Sequence, residues 1–207
     1  RASLITVVVL YCVGGYFSSW VQIGEAEPGS PLLYPDHDYN VSSKKINELF
    51  PGSEELYIVA HTEEKGGLKE PEVIRALTDF QNHMLLDPEL GGAKGLPNLV
   101  KQVRRIIHNN DPRWLSYPED HLEAGGLMFT YMMSSAVPGA LLEFIDPEEK
   151  NANMVFYYKD HKGETIRRAI HMVKEWAASP IAQIEGFSLK LAGGVIGVTA
   201  AINEAAY

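Results

Sequence analysis

From Ala2 to Gly24 the chain carries no charged residue, and Leu4–Val13 is almost wholly apolar. A run of about twenty apolar or small residues is what a helix needs to cross the roughly 30 Å hydrocarbon core of a bilayer. Residues 1–24 are therefore expected to form a transmembrane helix. Tyr16, Phe17 and Trp20 gather near its outer end, where aromatic rings prefer the headgroup level. Arg1 before the run and Glu25 and Glu27 after it place the N-terminal side in the cytoplasm and the residues beyond about Gly24 outside. A cleavable signal peptide with Leu4–Val13 as its apolar core is the weaker alternative, because the apolar character continues through Trp20 and Val21. A buried helix of a soluble protein rarely stays uncharged for so long. The start at Arg1 and the stop at Tyr207 in mid-pattern read as a piece of a longer chain.

Beyond the apolar run the pattern changes. Residues 25–55 read as a linker with one short helix. Gly24–Tyr39 holds three prolines and two glycines and is expected to be extended, and Asn40–Phe50 then repeats apolar residues loosely at helical spacing until Pro51-Gly52 stops it. Leu56–Ala60, with Ile58 and Val59, reads as a strand. Pro71 suits a first helical turn. Val73, Ile74, Leu77, Phe80, Met84 and Leu85 follow at spacings of three and four up to Asp87-Pro88, the mark of an amphipathic helix. Gly91–Pro97 is glycine-rich with room for a short strand, Leu99–Ile107 is a second amphipathic helix, and Asn109–Glu119 is a loop. Pro138–Ile145 reads as a short helix. Ala152–Lys159 is a strand with Met154, Phe156 and Tyr158 on one face. Glu164–Ala178 is a helix with Ile166, Ala169, Ile170, Val173, Trp176 and Ala177 as its buried stripe. Phe187, Leu189 and Leu191 make a last strand before Gly193-Gly194.

Strand, helix, strand, a helical insertion, then strand, helix, strand is the order of a ferredoxin-like (βαβ-βαβ) α+β domain, expected over residues 56–192. In the tail, 193–207, Gly193, Gly197, Ala201 and Ala205 recur every four residues. Such a stripe lets membrane helices approach closely, so the tail is expected to lead into a further transmembrane helix. A glycine turn followed by an ordinary alanine-rich helix fits the spacing equally well.

Charge narrows the function. The chain has 27 acidic and 18 basic residues, a net charge of −9, whereas a nucleic-acid binder needs a basic stripe to hold phosphates. The one basic cluster, Lys101–Arg105, reads as a solvated helix face. Cys12 is the sole cysteine, so no intrachain disulfide can form. The sequence has no nucleophile elbow, phosphate loop, H-E-x-x-H motif or cysteine cluster. Asp36-His37-Asp38 sits among prolines and Asp160-His161 lies between a strand and a helix. Turns and caps account for both better than chemistry does, and His83, His108 and His171 have no partner nearby in sequence. No catalytic residue, cofactor or metal ligand is therefore expected. The stretch Gly126–Ser135 is apolar and rich in methionine and aromatic residues. Thioethers beside rings adapt to varied apolar ligands, and Met128, Phe129, Tyr131, Met132 and Met133 are candidates for a substrate path. Packed core or a partner interface is the competing account of the same residues.

Four segments, GEAEPGSPLLYPDHDYN (24–40), FPGS (50–53), YKDHKGETIRRAI (158–170) and LAGGVIGVTAAINE (191–204), together resemble the exporters of the RND superfamily. The resemblance is to the hydrophobe/amphiphile branch related to MmpL and hopanoid transporters, and it covers nearly the whole chain in order. It implies one periplasmic porter loop of ferredoxin-like build with its preceding membrane helix, in the second half of a proton-driven transporter of lipids or amphiphiles in a bacterial or archaeal inner membrane. It further implies membrane lipids, an amphiphilic or lipid substrate, the remaining transmembrane helices and the other porter loop as partners, with homo-oligomers compatible. The proton-relay carboxylates of such proteins would lie in helices outside this sequence. Pro28, Gly29, Pro31 and Pro35 before the domain, and Gly193, Gly194 and Gly197 after it, are the expected coupling hinges, since they suit unusual backbone geometry. An extracytoplasmic ligand-binding sensor domain of a membrane signalling protein is the alternative.

Overall fold

The computed structural model describes residues 2–18, 29–30 and 32–205. It is an α+β structure built on a four-stranded antiparallel sheet. The strands are β1 (Glu54–Thr62), β2 (Leu90–Lys94), β3 (Asn151–Tyr158) and β4 (Phe187–Gly193), ordered β2-β3-β1-β4 across the sheet. The helices are α1 (Ala2–Ser18), α2 (Asp38–Leu49), α3 (Pro71–Met84), α4 (Leu96–Ile107), α5 (His121–Ser134), α6 (Gly163–Ala177) and α7 (Gly194–Ala205). Helix α3 crosses from β1 to β2 and α6 from β3 to β4, and each crossover skips one strand. The two β-α-β units are thus interlocked.

Period-two alternation sets the inner face of the sheet. Leu56, Ile58 and Ala60 of β1 and Ala152, Met154, Phe156 and Tyr158 of β3 are all fully buried, while Tyr57, Val59 and His61 between them are half-buried on the other side. The buried face receives α3 through Val73, Ile74, Leu77, Phe80 and Met84, and α6 through Ile166, Ala169, Val173 and Trp176. Phe80 sits edge-on to Phe156 at 5.4 Å and tilted against Trp176 at 4.9 Å. The Trp176 indole N–H donates to Asp79 Oδ2 at 2.8 Å, so the largest ring of the core keeps its polar edge satisfied. Of the stripe expected on α6, Ile170 is half-buried and Ala177 is exposed.

Three expected elements change shape. The second helix starts three residues early, at Leu96, because Pro97 fits its first turn. Pro138–Ile145 tightens to a 3-10 turn, Ala140–Glu143, and the Met-rich stretch is part of a full helix, α5. Arg104 is a correction to the solvated face expected of Lys101–Arg105, since it is one of the buried residues of α4.

Helix α1 is 17 residues long, a rise of about 25 Å, and no described helix is long and apolar enough to cross a membrane. Residues 19–24 of the expected span lie outside the described residues. Within α1, Ile5, Val7, Leu10, Tyr11 and Phe17 are each more than half exposed, so the helix shows apolar surface all round. Helix α7 packs its first turns against the sheet: Ile196 is fully buried, and Ala200 touches the core.

Candidate functional site

The Met-rich helix α5 is positioned from α4 through Arg104. This guanidinium donates to Glu123 at 2.6 Å, to Ser116 and to Glu119, and it lies over the Trp114 ring at 5.0 Å. Trp114 stacks in turn on His108 at 3.5 Å. The loop 108–120 is thereby wrapped on one buried cation, the arrangement that makes buried charge tolerable. Asp120 caps α5 by accepting from the Glu123 N–H at 2.8 Å, and the Glu123 carboxylate reaches back to the Glu119 N–H at 2.6 Å. Reciprocal bonds of this kind satisfy amides that a helix start leaves open.

The stretch then splits by helical phase. Ala124, Leu127 and Met128 point into the core, and Tyr131 is half-buried, edge-on to Phe144 at 5.9 Å. Leu122, Phe129, Met132 and Met133 are exposed. Leu122, Gly126, Phe129 and Met133 follow at steps of four, three and four, one line along the helix. A side chain added at Gly126 would meet nothing within 4 Å, so this line is open. Val137 and Leu142, also exposed, extend the apolar character beyond its end. Met128 belongs to the core, and the outward set of the expected path is Phe129, Met132 and Met133. Their orientation depends on where Arg104 anchors the helix, which no local pattern announces.

Of the expected hinges, Pro28 and Pro31 lie outside the described residues. Gly29 has φ +102°, and an added Cβ would come within 2.5 Å of Asn40 Oδ1. Buried Asn40 accepts from the Ser30 N–H at 2.8 Å and donates to the Ser30 and Tyr34 carbonyls at 3.2 and 3.0 Å, which fastens the end of the linker to the first turn of α2. Pro35 lies in the turn closed by the His37 N–H and the Tyr34 carbonyl at 3.0 Å. Gly193 has open space at its Cβ position and Gly197 has only ordinary contact with Leu56 at 3.6 Å, whereas Gly194 is tightly enclosed.

The histidine-bearing motifs make local capping, turn and packing contacts. His37 caps α2, accepting from the Tyr39 N–H at 3.2 Å. His161 is buried and stands 3.2 Å from Glu54, and Asp160 Oδ1 accepts from the Thr165 hydroxyl at 2.6 Å and from the Lys162 N–H at 3.3 Å. His83 Nε2 meets the Met172 carbonyl at 3.1 Å, and His171 stands 3.9 Å from Glu175. Among the described residues no three His, Cys, Asp or Glu side chains converge on a metal-sized site.

The hydrogen bond from His161 holds the Glu54 carboxyl below the ordinary carboxylate range, against the opposing effect of burial. A carboxylate with a depressed folded-state pKa stabilises the fold above its unfolded pKa, and this contribution is lost as pH falls through the folded value. Glu54→Gln is therefore expected to lower the melting temperature at pH 7, with the gap to the parent closing below about pH 4.5. Melting curves from pH 7 to pH 3 check this; a gap that does not vary with pH contradicts it.

No protein-family model matches the chain, and no curated protein matches it in sequence.

Proposed function

We propose that this chain is the periplasmic porter module, with its membrane anchor, of a proton-driven RND-type exporter of hydrophobic or amphiphilic compounds. The observation that carries the reading is the outward apolar line of α5, built on Leu122, Phe129 and Met133 and mounted on a polar-anchored insertion in the sheet. Exposed apolar surface that is contiguous marks a site of contact, and thioether beside ring suits variable apolar ligands. The interlocked β-α-β order supports a ferredoxin-like porter subdomain. The all-round apolar surface of α1 supports a lipid environment for that helix, although its described length falls short of a span. In this reading α5 borders the substrate path, and the linker at Asn40 and the turn at Gly194 join the domain to the membrane helices.

The test is export of a fluorescent amphiphile by cells expressing the full-length parent protein. Phe129→Asp and Met133→Asp place carboxylates on the open line without touching the core. Export is expected to fall about ten-fold or more, the equivalent of about 1.4 kcal/mol, at unchanged protein level in the membrane. Undiminished export by both variants would overturn the reading.

A further inference from the structure

The two edges of the sheet, β2 and β4, are built differently. β2 has five residues, LGGAK, and its terminal Lys94 is held in an ion pair with Glu143. A short strand with a charged end is one way an edge avoids pairing with another chain. β4 has seven residues, FSLKLAG, with Lys190 as its single charge. It pairs with β1 in one register from Phe187 to Leu191, and the register shifts before Gly193.

Which backbone groups of β4 stay free follows from its neighbours. The Glu63 N–H donates to the Gly186 carbonyl at 2.9 Å, whereas the Thr62 N–H turns to the Lys150 carbonyl on the β3 side at 2.8 Å. Bonding directions alternate along an antiparallel strand. Ser188 and Lys190 therefore turn their N–H and C=O groups to β1, and Phe187, Leu189 and Leu191 turn theirs to the open edge. The Phe187 N–H is taken by the Ile184 carbonyl at 3.1 Å. The Phe187 carbonyl and both groups of Leu189 and Leu191 face no further strand among the described residues.

The side chains of the same stretch are complementary to themselves. Phe187 and Leu189 face the helix layer and pack against the core. Leu191, on the same side by alternation, is 46% exposed, as is Ile181 after α6 at 44%. Beside Phe187 and Leu189 a cavity of about 470 Å³ opens toward the end of α6, lined also by Ala177, Ala182 and Ile184. Ser188 and Lys190 project from the other face and are exposed. Reversing FSLKL about Leu189 sets Phe187 opposite Leu191, Leu189 opposite Leu189, and Ser188 opposite Lys190. Apolar groups then meet on the helix side, and each ammonium meets a hydroxyl on the other. Reversal about Lys190 would instead set two like charges directly opposite, which is destabilising.

We propose that two copies of this chain join β4 to β4 about a two-fold axis at Leu189, making their sheets one continuous antiparallel sheet. Leu189 exchanges both backbone bonds with the partner's Leu189, and the Leu191 N–H donates to the partner's Phe187 carbonyl. The partner's Leu191 lies against Phe187 and enters the cavity. The inference uses neither α1 nor the α5 surface and does not rest on the transport reading.

Light scattering of the full chain in mild detergent, with the detergent mass subtracted, tests for the dimer. A dissociation constant of about 10 µM or below is expected. Leu191→Pro removes the donated N–H at an edge position that tolerates proline, and it should yield monomer with an unchanged circular dichroism spectrum. Disulfide trapping tests the register independently. In a Cys12→Ser background, Ser188→Cys and Lys190→Cys are made as separate proteins. Across the two-fold axis, position 188 directly faces the partner's position 190, whereas identical positions lie about 8 Å apart, beyond disulfide reach. The two proteins mixed are therefore expected to cross-link at least about ten-fold more than either alone. A parent that stays monomeric at about 100 µM, ten times the expected constant, overturns the proposal. So does a folded Leu191→Pro that dimerises as the parent does, or a mixture that cross-links no more than its components.

Discussion

Arg168→Ala is expected to destabilise the protein by about 3–5 kcal/mol, the cost of leaving a buried charge without its partner. Asp87, at the end of the turn after α3, has a side chain with no exposure at all, and Arg168 on α6 meets it through two bonds of 3.0 and 2.9 Å. The pair joins the two crossover helices at one end of the sheet, and Asp87 Oδ1 also holds the Glu89 N–H at 3.0 Å. The carboxylate is the cause of the raised Arg168 pKa, outweighing partial burial. Truncating the arginine leaves Asp87 with the charge and only one backbone donor. Because domains of this size are stable by only about 5–15 kcal/mol, the variant should unfold at a much lower denaturant midpoint. Asp87→Leu combined with Arg168→Met should recover much of the loss, since replacing both members of a buried pair is far milder than orphaning one. Urea titration of the parent, the single and the double variant checks both statements. A loss below about 1 kcal/mol for Arg168→Ala would mean that water reaches the pair.

Gly194→Val is the second large effect. Gly194 opens α7 with φ +78°, and a Cβ there would lie 2.1 Å from the Glu55 carbonyl oxygen and 3.0 Å from the Tyr57 ring. The clash is with backbone, which cannot move aside as a flexible side chain can. Left-handed backbone at a β-branched residue already costs about 1–3 kcal/mol, and the overlap adds to it, so a total of at least about 3 kcal/mol is expected. Gly193→Ala is the control, because nothing lies within 4 Å of its Cβ position. It should stay within about 0.5 kcal/mol of the parent. Two adjacent glycines that look equivalent in sequence are thereby separated, and thermal melting of the two variants decides the matter. Equal effects would mean that the β4–α7 turn yields to fit a side chain.

How far the sequence reaches is seen in particular elements. Met154, Phe156 and Tyr158 alternate on β3, and Val73, Leu77, Phe80 and Met84 repeat on α3, because an element with one buried face writes its period into the chain. Those residues are buried as the spacing predicts, and β1, α3, α4, β3, α6 and β4 are legible in order from the pattern of apolar residues. Even the caps can be read: Asp160 and His37 sit where turn chemistry places them. The limits appear where polar residues are buried. Arg104, Asn40 and Asn47 look like surface residues in sequence, and on α2 these asparagines are inside while Tyr39, Ile46, Leu49 and Phe50 are exposed.

The phase of α5 is hidden for a related reason. Its residues are apolar on several sides, so periodicity alone cannot say whether Met128 or Met133 faces the core. The chain by itself determined the strands β1, β3 and β4 and the one-sided helices α3, α4 and α6, because backbone periodicity and hydrophobic burial act locally. Only the tertiary structure decided which face of α5 stays open, which glycine is enclosed and which strand edge is left bare. Those outcomes depend on groups distant in sequence, Arg104 with Glu123, Glu55 with Gly194, and β1 with β4, whose meeting no local pattern encodes.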